Sequence, residues 1–427
     1  MVYIKDYRDP LYGFIRVNKL EQKLIDSIFF QRLRNIKQLG TTYLVYPSAN
    51  HSRFEHSLGT LYVCGQIFQL LLEQTDSANI FAESFKWGEN EKKRAKCILR
   101  LAGLLHDLGH APFSHSAEKL FPENKGFGRL DHEDYTFKMI TETELRDIID
   151  NCLGKGTAEE VAEVAVNRAK TMDRAFLSEL LTGDFGADRI DYLMRDSHHL
   201  GVQYGRFDFH RLLNTLHIRV NEEKKGPELA IEDGGLHTVE AFLLARYFMF
   251  LNVYFHKTRR ILDYHLSDFI YDCLKGGTYP VDIESYLKWD DHKVMNFLQR
   301  RKKSQKAKRL WQRTHYRLAF ETHDHPKTQE LERFDWLKSE VEKKFGLQVV
   351  CDEASKDPYA FDQPGVYLRN HKTGEYEPLS EASSLIKSLL KIQKCRIYAS
   401  VEALKEVETF CQEFWKERKK IEVERGM

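Results

Sequence analysis

The chain has 427 residues, 42% hydrophobic and 30% charged, with a formal net charge of +1. That length supports a full core and two or three domains, and the near-neutral balance gives no overall attraction to nucleic acid or a membrane surface. No apolar run approaches the ~20 residues of a membrane span and MVYIKDYRDP has no signal-peptide pattern, so the expectation is a cytoplasmic protein without a membrane partner. Seven cysteines (Cys64, Cys97, Cys152, Cys273, Cys351, Cys395 and Cys411) contain no CxxC pair, which argues against a zinc ribbon or a disulfide framework.

At the start, Asp9-Pro10 marks a turn and the alternation Gly13-Phe-Ile-Arg-Val17 predicts a short strand. A helix is predicted over Lys19 to Gln38. After a loop with Pro47, His51-Ser-Arg-Phe-Glu-His56-Ser-Leu-Gly59 opens a helix that runs through Leu61, Cys64, Ile67, Leu70 and Leu71. His56 taken alone reads as a core or cap histidine, and nearby His51 is an alternative ligand.

The apolar run from Ile98 predicts a helix ending near Gly109, because glycine tolerates the left-handed C′ position and Pro112 blocks continuation. His106 and Asp107 then lie in its last turn, where neighbours diverge by roughly 100°. Such a pair can bracket an ion only with ligands from elsewhere; alone it reads as a cap or surface pair.

Next come Ser114 to Phe121, a Gly-rich connection around Gly126 and Gly128, and Asp131-His132-Glu133 entering another helix. Residues 157 to 182 read as amphipathic helix. Gly183-Asp184-Phe185-Gly186 breaks that pattern before Asp188-Arg-Ile-Asp-Tyr-Leu-Met-Arg-Asp196-Ser-His-His-Leu-Gly201 resumes it. Asp188, Tyr192 and Asp196 are four apart and share a face, which should look into a polar pocket because a core would penalise it. A long helix from Val239 to Leu266 aligns Arg246, Phe250, Tyr254 and Lys257 in one stripe.

The basic run Arg300 to Arg309 reads as a solvated helix face. Beyond about residue 330 the texture changes. Apolar or β-branched runs at Leu347–Cys351, Gly365–Leu368 and Cys395–Ala399 alternate with helical stretches at Phe334–Lys344, Ser380–Lys391 and Val401–Lys419, which suggests a small α+β domain.

His56, His106, Asp107 and Asp188 together offer two imidazoles and two carboxylates. That donor set suits one divalent ion per site (Mn, Mg, Fe, Zn, Ni or Co) and leaves positions open for water and substrate. The order H…HD…D resembles the HD-domain phosphohydrolase superfamily. The segments Gln31–Gly40, Ser52–Gly59, Gly103–His115 and Asp188–Gly201 resemble its deoxynucleoside triphosphate triphosphohydrolase branch, over residues 4 to about 270.

The resemblance implies a mainly α fold, with an all-helical HD-domain core at 1–275, a basic helical connection at 276–330 and a small α+β domain at 331–427. It implies hydrolysis of a dNTP to the deoxynucleoside and inorganic triphosphate, with His56, His106, Asp107 and Asp188 on the metal. Arg53, Arg189, Arg246 and Lys257 would bind the triphosphate, Gln38 and Leu39 the sugar and base, and Asp196 the 3′-hydroxyl. Tyr192 and Tyr254 would pack under the sugar and exclude a 2′-hydroxyl. His110, His115 and His132 would be catalytic, with Glu118 orienting the acid histidine. Lys5, Asp26, Gln31 and Arg34 match positions that bind an activating guanine nucleotide between subunits in that branch, so GTP or a dNTP is the expected activator of a homodimer or homotetramer.

Three positions depart from the animal members: Arg189 replaces lysine, Glu118 replaces aspartate and Phe250 replaces histidine. Two rival readings remain. An HD-type nucleotidase or phosphodiesterase needs fewer cations than this chain carries. A non-catalytic nucleotide- or nucleic-acid-binding module finds distinctive support only in the basic run at 300–309.

Overall fold

The computed structural model describes residues 2–124, 128–221, 226–357, 359 and 365–424; Gly126 of the expected Gly-rich connection lies outside them. Strands Tyr3–Asp9 and Gly13–Asn18 pair antiparallel about a turn in which Asp9 Oδ1 accepts from the backbone N–H groups of Leu11 and Tyr12 (2.9 and 3.1 Å). The helix expected from Lys19 to Gln38 is broken into helices Lys19–Ile25 and Ile28–Gln31 and a 3₁₀ turn at Arg32–Asn35. Ser27 makes the break: its hydroxyl donates to the Leu24 carbonyl (2.7 Å) and accepts from Phe30 N–H (3.3 Å), which ends one helix and caps the next. Gln38 and Leu39 therefore leave the helix and reach the central cavity.

Helices Arg53–Glu73 and Glu89–Leu105 pack side by side, and Ala187–Leu200 crosses the first of them. Leu61, Leu101, Leu104 and Leu105 are fully buried between them, each worth about 1.5–3 kcal/mol of apolar burial. Gly59 permits the crossing, since a Cβ there would lie 1.9 Å from Asp191 Oδ1.

The expectation for Gly109 is corrected. The helix ends at Leu105 with His106 as its right-handed C-cap, and Gly109 is not left-handed. Its role is close approach: a Cβ would meet the His132 carbonyl at 2.0 Å and the Thr136 nitrogen at 2.5 Å. This seats the His106–Asp107 turn directly against the His132–Glu142 helix.

The long helix expected from Val239 to Leu266 is also corrected. Helix Leu236–Met249 runs into a π-helical turn at Phe250–Tyr254, and helix Lys257–Tyr271 restarts at a bend of 60°. The wider turn rotates the stripe out of register before Lys257. Among the described residues no single helix is long and apolar enough to cross a membrane.

The molecule is mainly helical, with small sheets concentrated in the C-terminal region. Arg317–Glu321, Ile392–Ala399 and Val349–Lys356 form an antiparallel three-stranded sheet. Helices Thr328–Phe345 and Leu404–Glu424 pack on it around a separate core containing Phe334, Leu337, Val341, Ile397 and Val407. Strand Tyr367–Arg369 instead joins Gly226–Glu232 in parallel, so the chain crosses from one core to the other and back. The helix expected at Ser380–Lys391 is reduced to single turns at Leu379–Ala382 and Ser384–Lys387, because Ser383 caps the second against Ile386 N–H. All seven cysteines are free thiols.

Candidate active site

Three helical segments bring His56, His106–Asp107 and Asp188 to one point. The imidazole Nε2 of His56 lies 3.0 Å from Asp188 Oδ1 and 3.6 Å from Asp107 Oδ2. His106 Nε2 lies 3.4 Å from Asp107 Oδ1 and 3.7 Å from Asp188 Oδ1. The donor atoms of His56, His106 and Asp188 all fall within 4.8 Å of one another.

The tautomers follow from the neighbours. His106 Nδ1 must donate to the Gly103 carbonyl (2.9 Å), which leaves a lone pair on a buried Nε2 that has no hydrogen-bond partner. His56 Nδ1 donates to Asp191 Oδ2 (2.8 Å) and presents Nε2 to Asp188. Burial opposes protonation, but Asp188 and Asp191 raise its pKa to about 10, so a cation entering the cluster would take the place of that proton. Buried imidazoles oriented by an outer carboxylate or carbonyl are arranged as metal ligands are, and the donor set fits a divalent ion.

Burial opposes ionisation of Asp107, yet the Arg53 guanidinium at 2.5 Å and a hydrogen bond from His110 hold its carboxyl well below the usual range. Asp188 is likewise held down, against burial, by His106 and His56. Asp191, unsingled by sequence reasoning, is kept ionised at about 2 by Arg195 and His56 against the effect of burial. Its signal was present as an i,i+4 pair with Arg195, and that guanidinium also reaches Asp9 (2.9 Å).

Beside the cluster, His110 stacks on His132 with ring centroids 4.0 Å apart, and His115 stands edge-on to both. Glu118 bridges His115 Nδ1 (2.7 Å) and His132 Nδ1 (2.9 Å). Despite burial, Glu118 raises the affinity of His132 for a proton. Burial and then Arg53 and His132 push His110 well below its ordinary value and keep it neutral.

A cavity of about 440 Å³ opens from this point. Gln38, Leu39, Arg53, Arg189, Tyr192, Asp196, Arg246 and Tyr254 line it, as does Phe250. Lys257 does not: it is exposed at the start of its helix, beyond the π-helical turn. Arg259, Arg260 and Lys356, which the sequence did not single out, line the cavity instead. Asp184 pairs with Arg189 and lies 3.8 Å from Arg246.

Asp196 accepts from Tyr254 OH (2.7 Å) and faces His51 Nε2 (2.8 Å). His51, expected as an alternative ligand, is therefore turned away from the metal cluster and stacks on His199.

Lys5, Asp26 and Arg34 are exposed and Gln31 is half-buried. Asp26 accepts from Gln22 (2.7 Å), and Arg34 donates to Gln31 (2.9 Å) while covering the Phe54 ring. In the basic run, Lys306 reaches both Asp268 and Asp272 at 2.9 Å, which ties helix Gln305–Trp311 to Lys257–Tyr271.

Residues 53–196 match the family model of the HD domain, and residues 207–422 match that of the HD associated region. The uncharacterized protein YwfO of Bacillus subtilis is 32% identical over 90% of this chain and 89% of its own length. A crystal structure of a hypothetical protein from Aquifex aeolicus aligns with a TM-score of 0.79 and 37% identity, covering 95% of this chain and 99% of that one. The deoxynucleoside triphosphate triphosphohydrolase SAMHD1 of Gallus gallus is 30% identical over 69% of this chain and 52% of its own length. With both regions matched in order and the His/Asp cluster assembled as a divalent-metal site, the chain belongs to the HD-domain family of phosphohydrolases.

Proposed function

We propose that this protein hydrolyses deoxynucleoside triphosphates to the deoxynucleoside and inorganic triphosphate. The observation that carries this reading is a single cavity that joins the His/Asp cluster to the guanidinium groups of Arg53, Arg189 and Arg246. A phosphate placed beside the cluster extends along these cations, which match a polyanion far better than a monophosphate.

His56, His106, Asp107 and Asp188 would hold one divalent ion, which supplies Lewis acidity and a water acidic enough to attack near neutral pH. Arg53 and Arg189 orient the chain of phosphates for in-line attack at the α-phosphorus. As the bond from that phosphorus to the 5′-oxygen breaks, His115 or His132 gives its proton to the departing oxygen, with Glu118 holding both rings. Asp196, fixed by Tyr254 and His51, accepts from the 3′-hydroxyl, and Tyr192 and Tyr254 fill the space that a 2′-hydroxyl needs.

The test is a screen of the four dNTPs, alone and with GTP, against Mn, Mg and Co, with inorganic triphosphate as the readout. Triphosphate release is expected, and His106→Ala and Asp107→Ala should abolish it while leaving the fold largely intact. Release of phosphate from monophosphates, or opening of cyclic dinucleotides to linear products, with no triphosphate from any dNTP, would replace this reading with the nucleotidase or phosphodiesterase one. Nucleotide-driven assembly through Lys5, Asp26, Gln31 and Arg34 is part of the proposal. Sizing the protein with and without GTP and dNTPs tests it, and an unchanged oligomer with unchanged rates removes it.

A further inference from the structure

We propose that Lys356, carried to the cavity by the end of strand Val349–Lys356, binds the terminal phosphate and makes the C-terminal α+β unit part of triphosphate recognition. The inference rests on the reading of the site given above and adds a cation from outside the region that matches the HD domain.

The placement of Lys356 is constrained. Asp352, Ala354 and Lys356 alternate onto one face of the strand. Arg260 grips Asp352, with Nε 3.0 Å from Oδ2, and so fixes that face against helix Lys257–Tyr271 two pleat-repeats before Lys356. The partner strand fixes the register, since Lys356 stands opposite Ile392, which is fully buried. Lys356 thereby lines the same cavity as Arg189 and Arg246, with its ammonium 5.6 Å from the centre of the Phe250 ring.

The charge there is unbalanced. Arg189 and Arg246 share the carboxylate of Asp184, and Lys356 forms no salt bridge among the described residues. Lys356 remains exposed at the cavity rim; partial desolvation there, followed by the nearness of Arg246 and Arg189, pushes its ammonium down from its ordinary value. Among the described residues, Lys356, Arg189 and Arg246 face the carboxylates of Asp184 and Asp357, which leaves an excess of one positive charge; the terminal phosphate of a bound triphosphate supplies the missing anion. A monophosphate held beside the metal cluster lacks the phosphates that extend toward these cations. Lys356 therefore serves selection by phosphate-chain length.

Calorimetric titration of the full chain with inorganic tripolyphosphate, pyrophosphate and phosphate tests this on wild type, Lys356→Met and Lys356→Arg, with thermal melts confirming that each is folded. Loss of one charge-assisted contact should weaken tripolyphosphate binding by about 10–100-fold in Lys356→Met. Phosphate binding should stay unchanged and Lys356→Arg should recover most of the loss. Equal tripolyphosphate affinity in wild type and Lys356→Met, an equal loss for phosphate, or no binding of tripolyphosphate by wild type would overturn the inference. Kinetics separates it from the reading it rests on. Turnover of dNTPs with the same KM in Lys356→Met sinks only the role of Lys356. Lysine-dependent tripolyphosphate binding without triphosphate release from any dNTP sinks only the proposed reaction.

Discussion

His56 is held from both sides: Asp191 accepts from its Nδ1–H while Nε2 faces the carboxylates of Asp107 and Asp188. Asp191 also receives two nitrogens of the buried Arg195, so one carboxylate both fixes a ligand's tautomer and neutralises a guanidinium. Asp191→Asn should lower divalent-metal affinity by about 10–100-fold and cost about 3 kcal/mol of stability. That cost lies at the low end for a broken buried pair because Asp9 still faces Arg195. Manganese titration and urea unfolding measure the two effects, and unchanged metal affinity would show that the His56 ring is oriented by something else. At this scale the ligands themselves were legible, because each sits in a short, distinctive segment. Asp191 and Lys356 were not singled out, and His51 was given the wrong role, because their importance lies in what they face across the fold.

At the scale of elements, the turn after the His106–Asp107 pair is under tension. Phe113 and Ser114 both adopt left-handed backbone angles (φ 58° and 56°), which cost a non-glycine residue roughly 1–2 kcal/mol each. Buried Asp291 offsets this by accepting from Phe113 N–H (2.6 Å) and Lys37 N–H (2.9 Å), and Ser114 is locked between Arg53 and the Lys37 carbonyl. Gly109 sets how closely this turn approaches the helix that begins at His132. Gly109→Ala should destabilise the protein by about 1–3 kcal/mol and move His132, which lowers kcat more than it raises KM. Steady-state kinetics beside a melting curve reads both, and an unaffected kcat would dissociate His132 from catalysis. The strands near Gly13–Val17, Leu347–Cys351, Gly365–Leu368 and Cys395–Ala399 and the helices that open at Arg53 and Ala187 were foreseen from periodicity. Strands Tyr3–Asp9, Gly226–Glu232 and Arg317–Glu321 were not, and the helix expected over 157–182 is split into Thr157–Ala165 and Met172–Thr182. The breaks at Ser27 and Phe250–Tyr254 were not foreseen either, since a side-chain cap and a π-helical turn leave the hydrophobic period nearly unaltered.

For the whole molecule, His265 is a point of coupling between the helical body and the C-terminal sheet. Its Nε2 accepts from Tyr316 N–H (3.2 Å), just before strand Arg317–Glu321, and burial, Arg309 and His315 hold its pKa at about 3. An unfolded histidine binds its proton near pH 6.5, so between those values the unfolded chain holds more protons. The neutral ring's contribution is complete above pH 6.5 and is lost as pH falls toward 3. His265→Gln retains an acceptor without a charge change, so its urea midpoint should fall less steeply than that of wild type between pH 6.5 and 4. Identical slopes would mean that other buried histidines set the acid limit. Strand Gly226–Glu232 gives this architecture a temporal consequence, because one of its neighbours, Tyr367–Arg369, lies some 140 residues downstream. At ribosomal speeds of about 5–20 residues per second, that edge, with Leu229 and Ile231 along it, waits roughly 7–30 s for its neighbour. A nascent chain stalled in this interval presents a sticky ribbon, so its yield in a cell should respond to translation rate and chaperone supply more than the finished enzyme's stability suggests.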